Sequence, residues 1–322
     1  MQEQNVITVE GLRKHYGPVK AIDGVTFQVG RGEIFGMVGP NGSGKTTTIE
    51  CIEGLRRPDA GSLGVLGLDP QRDVYALRER TGVQLQSSNL PNRMRVEEAL
   101  DLFASFYRQA VDWRPLLEEL GLGDKRRAFY CQLSGGQKQR LFVALALINR
   151  PEIVFLDELT TGLDPQARHT TWDLVGEIRE RGTTVVLTTH FMDEAERLCD
   201  RLVILDHGRI VALDTPENLV SQLGMARRLI FQVNGDSLPA SQAGSNKQTE
   251  AAFNPALVGV IDGVRRVEQQ GDEIVVYGQG EGLISAVILA LEAARVPFHN
   301  LRTEQANLED VFLALTGRAI RD

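Results

Sequence analysis

Residues 33–46 read Glu-Ile-Phe-Gly-Met-Val-Gly-Pro-Asn-Gly-Ser-Gly-Lys-Thr. A short apolar run, Glu33 to Val38, feeds a glycine-rich loop, and a helix-length segment follows. Strand, loop, then helix is the context in which Gly39-Pro40-Asn41-Gly42-Ser43-Gly44-Lys45-Thr46 reads as a phosphate-binding loop. Gly39, Gly42 and Gly44 let the backbone turn its N–H groups inward around phosphate oxygens. The helix adds the positive end of its dipole. Lys45 brings a point charge to the β- and γ-phosphates, and the Thr46 hydroxyl is a donor of the kind Mg2+ takes. A glycine-rich turn that holds nothing is the plainer alternative, and the complete pattern in this context argues against it.

Two further apolar runs end in polar groups. Glu152-Ile-Val-Phe-Leu156 stops at Asp157 and Glu158, and Thr184-Val-Val-Leu-Thr-Thr189 stops at His190. Such runs, separated by helix-length segments, predict a parallel α/β sheet whose ligands sit at the strand carboxyl ends. Adjacent carboxylates there are costly without a cation or a proton to handle. Asp157 suits a partner of Mg2+, and Glu158 a general base or water-positioning group for attack on a γ-phosphate. The alternative is an acid pair capping the next helix. His190 is placed to reach the γ-phosphate or to hold Glu158. Gln86, after Val83-Gln84-Leu85, either offers its amide oxygen to the metal or is simply solvated.

Leu133-Ser134-Gly135-Gly136-Gln137 opens another helix, followed by Lys138, Gln139 and Arg140. A serine and a glycine pair at a helix start make a second anion-binding nest, or more plainly a serine cap with flexible glycines. The first loop already serves the phosphates of this chain's own nucleotide. A spare nest points to the nucleotide of another chain.

Composition narrows the partners. The 322 residues are 42% hydrophobic and 24% charged, the balance of a globular protein, with a formal net charge of -8. An acidic chain repels the phosphate backbone that a generic nucleic-acid binder must neutralise, so nucleic acid is not expected as a partner. Cys51, Cys131 and Cys199 show no metal-ligand spacing and read as reduced thiols. Met1 to Glu10 has no cationic start before an apolar run, so no secretory signal is expected. The longest apolar stretch, Leu141 to Ile148, falls far short of the ~20 residues of a membrane span. The expectation is a cytosolic chain that meets a membrane only through a partner.

Val6 to Val29 alternates and turns at Tyr16-Gly-Pro18 and Asp23-Gly24, which predicts antiparallel strands joined to the sheet. From Asn89 to Leu133 the pattern becomes helical. Val96, Ala99, Leu100, Phe103 and Phe106-Tyr107 form one apolar stripe, and Leu116, Leu117 and Leu120 another. This predicts a helical insertion over 89–133 beside the nucleotide site. After Leu223 the character changes again. Strand-like runs at Leu229–Val233, Val264–Val267 and Glu273–Tyr277 surround a polar loop over 235–250. A helix striped by Leu283, Ile284, Val287, Ile288 and Leu291 follows, then one opened by Asn307 as N-cap with Asp310 beyond it. The expected division is a nucleotide-binding domain over 1–222 and a small α+β accessory domain over 223–322.

Taken together, these motifs resemble the ATP-binding subunit of an ABC transporter. Leu133 to Gln137 is similar to the family's signature, Val154-Phe-Leu-Asp157-Glu158 to the Walker B strand, Gly162-Leu-Asp164-Pro165 to the D-loop, and Thr189-His190 to the switch histidine. The resemblance covers roughly 5–220. It implies a P-loop cassette with a mixed sheet, an antiparallel β subdomain and a helical insertion, hydrolysing ATP with Mg2+. It makes Tyr16 the aromatic that stacks on adenine, a residue otherwise read as an ordinary edge aromatic. Gln86 becomes the residue that senses the metal and relays to a membrane partner, and Thr47 joins the phosphate-binding set. Ser134, Gly135, Gly136 and Gln137 then act on ATP held by a partner chain, with Asp164 at the dimer seam.

Leu159 stands where many relatives have proline, and Thr47 follows Thr46 where serine is common one step earlier; neither change removes a catalytic group. Glu158 to Arg168 and Leu308 to Gly317 are similar to the branch that energises drug, antibiotic and polysaccharide exporters, including the daunorubicin-resistance type. The implied partners are a second copy or a paralogous ATP-binding subunit, and an integral membrane permease at the inner face of the membrane. A soluble ABC-type ATPase in nucleic-acid or ribosome handling is the rival, and a regulatory or scaffold protein another. Relatives of the first kind carry two cassettes, a coiled coil or zinc-binding cysteines, none of which this sequence shows.

Overall fold

A computed structural model describes residues 5–85, 89–222, 227–233, 253–280 and 282–317. Gln86 and the polar stretch 235–250 lie outside the described residues. The chain forms two compact units: Met1–Pro216 with the last residues from Leu315, and Glu217–Ala314. The division falls just inside helix α8 (Pro216–Gln222), a few residues before position 222.

In the first unit, β1 (Asn5–Tyr16) and β2 (Val19–Gly30) form an antiparallel hairpin, and β4 (Ala60–Val65) pairs with the other edge of β1. The expectation that this hairpin joins the main sheet is corrected by the pairing, which makes a separate sheet ordered β2-β1-β4. Asp23-Gly24 is not a turn either. Gly24, at φ 83, is an extra residue inside β2, where the pairing slips between Leu12↔Val25 and Arg13↔Asp23.

The main sheet contains β3 (Ile34–Val38), β5 (Thr81–Gln84), β6 (Ile153–Asp157), β7 (Thr184–Thr189), β8 (Arg201–Asp206) and β9 (Arg209–Asp214), ordered β5-β6-β7-β3-β8-β9. Every neighbouring pair is parallel except β8 and β9. Strands β3, β6 and β7 are buried along their whole length, because both faces of the sheet are covered; hence their unbroken apolar runs. Ile7, Val9, Phe27 and Val29 of the small sheet pack with Phe35 and Met37 of β3 and with Ile49 and Ile52 of helix α1 (Lys45–Ile52) in one core.

After α2 (Val74–Arg78), the insertion is built from α3 (Val96–Ala104) and α4 (Trp113–Glu119), then α5 (Gly135–Leu147) returns to the sheet. Val96, Ala99, Leu100, Leu116, Leu117 and Leu120 are all buried. The stripe stops there: α3 ends at Ala104, so Phe106 lies beyond its last turn and is 64% exposed. Helices α6 (Pro165–Glu180) and α7 (Met192–Leu198) complete the unit.

The second unit runs β10 (Arg227–Val233), α9 (Ala256–Gly259), β11 (Val264–Gln270), β12 (Glu273–Gly278), α10 (Leu283–Ala293), β13 (Phe298–Gln305) and α11 (Leu308–Thr316). Its antiparallel sheet is ordered β11-β12-β10-β13, the split βαββαβ arrangement of ferredoxin-like folds with one helix added. Leu229, Phe231, Ile274 and Val276 pack against Leu283, Val287 and Leu291 of α10. Strand β13 escapes sequence reading because its residues, FHNLRTEQ, are polar at an edge where no side chain is fully buried.

Asn307 does cap α11: its Oδ1 accepts from the Asp310 N–H at 3.2 Å, and Asp310 Oδ2 accepts from the Asn307 N–H at 2.9 Å. The other Asp310 oxygen holds the Arg228 guanidinium at 3.1 Å, which also pairs with Glu304. Asp310→Ala removes a cap and half of the charge compensation for a largely buried arginine. It is expected to destabilise this unit by about 2 kcal/mol, read by chemical denaturation of the full chain.

Candidate active site

The parallel register aligns three polar strand ends. Val38 pairs with Thr189 and Asp157 with Thr188, so Gly39, Glu158 and His190 each follow the last residue of adjacent strands β3, β6 and β7. Between β3 and α1 the loop is packed against its surroundings. A Cβ at Gly39 would collide with the Leu205 carbonyl oxygen, and one at Gly44, φ 106, with that of Ala21. Only glycine permits that approach. Pro40 and Ser43 are buried beneath the loop, while Asn41, Gly42 and Thr46 face solvent and Thr47 is half-buried.

Lys45 is 4% exposed, and its Nζ donates to Gly39 O at 2.7 Å and Pro40 O at 3.1 Å. Burial pulls its pKa down, while Glu158 and Asp157 push it back up. The cation is thus satisfied by the carbonyls of its own loop.

Asp157 is 4% exposed and accepts a hydrogen bond from the Thr188 hydroxyl. Burial raises its pKa, against the hydrogen bond from Thr188. Glu158 takes φ 49, the left-handed region that costs a non-glycine residue roughly 1–3 kcal/mol. Its N–H donates to the Thr188 hydroxyl at 3.1 Å and to Thr188 O at 3.2 Å, which holds the strained backbone in place. Glu158 Oε1 lies 3.5 Å from His190 Nδ1, and Oε2 accepts from the Thr161 hydroxyl at 3.4 Å. Glu158 and His190 are therefore brought face to face.

The remaining sequence-derived residues sit elsewhere. Ser134 caps α5, with Oγ accepting from the Gln137 N–H at 3.3 Å while Gln137 Oε1 accepts from the Ser134 N–H at 2.9 Å. Ser134 and Gly135 are exposed. Gly136 approaches α6: a Cβ there would lie 3.4 Å from that of Ala167. Asp164 caps α6 by accepting from the Ala167 N–H at 2.9 Å. Tyr16, at the end of β1, is 42% exposed.

With this geometry, comparison with known proteins is specific. The ABC transporter sequence family matches residues 22–161. The Nod factor export ATP-binding protein I of Ralstonia nicotianae is 40% identical, covering 98% of this chain and 95% of its own length. The chain belongs to the ABC transporter ATP-binding proteins. A daunorubicin resistance ATP-binding protein of Streptomyces coeruleorubidus is 37% identical over 97% of this chain and 96% of its own. Among solved structures, an ABC transporter ATP-binding subunit matches with TM-score 0.62 and 32% identity, over 68% of this chain and 93% of that one. A bacterial ABC transporter cassette solved as a dimer matches with TM-score 0.58 and 27% identity, over 65% and 98%. The fold is the ABC cassette, and its chemistry is ATP hydrolysis.

Some of the cassette's supporting residues carry no motif. Thr188 holds both Asp157 and the Glu158 backbone, and its only sequence signal is a hydroxyl near the end of an apolar strand. Gly208, in the β8–β9 turn, donates its N–H to Ser43 O at 3.0 Å and accepts from the Asp23 N–H at 2.8 Å, clasping the phosphate loop to β2. Glu194 is 2% exposed and accepts from the Trp172 indole at 3.1 Å.

Beside β5 the cassette has a cavity of about 970 Å³ lined by Leu55, Tyr75, Leu85, Phe103, Phe106 and Phe142, with Glu53 and Gln84 in its wall. Glu53 is 6% exposed, its Oε2 has no hydrogen-bond partner, and burial with the nearby Asp157 charge pushes its pKa up to about 8. A carboxyl that keeps its proton longer in the fold than in the unfolded chain costs nothing below the unfolded pKa. The cost grows as pH rises towards 8. Glu53→Gln is therefore expected to raise Tm by several degrees more at pH 8.5 than at pH 5.5, measured by thermal melts at both values.

Proposed function

We propose that this chain is the ATP-hydrolysing subunit of a membrane exporter, working as one of two ATP-binding chains that close head to tail around two ATP molecules. The observation that carries the reading is the exposed helix start at Ser134–Gly135, a phosphate-ready N-terminus separate from the loop that buries Lys45. An isologous twofold interface sets each chain's Gly39–Thr47 loop against the other's Ser134–Gln137 in one step. The second chain is a copy or a paralogue. The names of the relatives, one an export protein and the other a resistance protein, support outward transport.

In this reading Tyr16 stacks on adenine, and Lys45 leaves its own carbonyls for the β- and γ-phosphates. Thr46, Gln86 and the buried Asp157 are oxygen donors of the kind that would hold Mg2+. The ion, when bound, offsets charge gathering on the transferred phosphoryl group. Glu158 accepts a proton from water as its oxygen bonds to the γ-phosphorus and the bond to the leaving ADP oxygen breaks. His190 orients Glu158 through the contact at Nδ1. Loss of the γ-phosphate removes what bridges Ser134 and Gly136 to the opposite chain, and the dimer opens along the seam at Asp164.

A permease partner docks near Gln86 and the helical insertion, at the cytoplasmic face of the membrane. Among the described residues no helix is long and apolar enough to cross a membrane, so the transmembrane path belongs to that partner in this reading.

Glu158→Gln is expected to keep ATP binding while turnover falls at least ~100-fold, the usual scale of a lost general base. Normal turnover in that variant removes the assigned role. For shared sites, Lys45→Ala chains mixed with Ser134→Arg chains should recover about a quarter of wild-type hydrolysis, since half the dimers then hold one intact site. Verified heterodimers without activity would count against the arrangement.

A further inference from the structure

Tyr16 does not stand alone at the end of β1. The Arg56 guanidinium carbon lies 5.4 Å from the centre of its ring, and Lys14 Nζ 5.7 Å from it. Both are within the range in which a cation is held by an aromatic face. Each cation is itself anchored. Arg56 Nε bonds Glu50 Oε2 at 2.5 Å, and Lys14 Nζ bonds Asp59 Oδ1 at 2.9 Å. Asp59 Oδ2 also accepts from the His15 N–H at 2.7 Å, and the Gln71 amide donates to Arg56 O at 3.0 Å.

These charges gather on the flank of α1. All of them, Lys14, Arg56, Glu50 and Asp59, act electrostatically on the buried Cys51 thiol of that helix. The same helix begins at Lys45 and Thr46. Glu50, which anchors Arg56, lies in its last turn.

We infer that Arg56 is a positioning residue for the nucleotide base, fixing the Tyr16 ring against the helix that opens on the phosphate loop. The inference rests on the proposed stacking of Tyr16 on adenine. A tyrosine on a strand end that is 42% exposed keeps rotamer freedom, and each alternative rotamer dilutes the one that can stack. The guanidinium selects one ring orientation, while Glu50, in the last turn of α1, keeps the guanidinium from swinging out to solvent. The ring is thereby tied through Glu50 to the helix that opens at Lys45, and the stacking contact is made without a search.

The test compares equilibrium binding of ATP with that of tripolyphosphate, which offers the phosphates and no base. Arg56→Ala is expected to weaken ATP about fivefold and leave tripolyphosphate unchanged, the latter also reporting that the phosphate loop is intact. Arg56→Lys should recover part of the loss. Arg56→Ala made in a Tyr16→Ala background should cost nothing further, because the two residues act through one contact. Unchanged or tighter ATP binding by Arg56→Ala, when Tyr16→Ala does lose affinity, overturns the positioning role alone. Equal losses for ATP and tripolyphosphate overturn it too, as a general structural effect. Wild-type ATP affinity in Tyr16→Ala overturns the stacking reading and this inference with it.

Discussion

Lys45 and Asp157 are charges of opposite sign taken almost wholly out of water at the carboxyl edge of a single sheet. Each is costly there, and each is accommodated by a different neighbour: Lys45 by the carbonyls of its own loop, Asp157 by the hydroxyl of Thr188. Much of the cassette follows from that constraint. The parallel register of β3, β7 and β6 fixes where the charges stand. Glycines at 39 and 44 let the loop press against the Leu205 and Ala21 carbonyls, and the turn at Gly208 clasps it from the side. The sheet could be built with apolar residues at all these strand ends. It would then be more stable and would have nothing to offer a phosphate.

Glu158 shows the same trade in backbone form. A left-handed φ at a non-glycine residue is tolerated because Thr188 supplies two acceptors to its N–H. That geometry turns the carboxylate towards His190 rather than along the strand.

Much of this was legible in the sequence because it is written in short, local patterns. Glycine spacing after a buried strand, acids at the end of another and a histidine after a third each carry their own chemistry. The ABC cassette and its exporter-type relatives agree with the resemblance those motifs carry. What escaped is what depends on pairing partners far away in the chain. The hairpin at Val6 to Val29 alternates as a strand pair should, yet nothing local says that β4 rather than the main sheet will accept its edge. Gly24 has the composition of a turn and is a bulge, because the partner strand continues past it. Phe106 continues a helical stripe on paper, but α3 ends at Ala104 and leaves the ring in solvent. Thr188 and Gly208 carry no motif because one acts through a single hydroxyl and the other only through its backbone.

The bonding of Lys45 and of Ser134 has a thermodynamic consequence. Lys45 is bonded to Gly39 O and Pro40 O, and the Ser134 end of α5 is closed by Gln137. Under the proposed reading, a nucleotide that takes the Lys45 ammonium displaces two carbonyl bonds that the ammonium already makes. The nucleotide exchanges its own oxygens for those carbonyls, so the net gain at that contact is small next to its gross strength. At Lys45, binding is a substitution and release is the reverse substitution. Under the same reading, an ATPase that must let go of ADP on every cycle is served by weak net affinity at this cation, and the strong step is reserved for the moment when two chains meet.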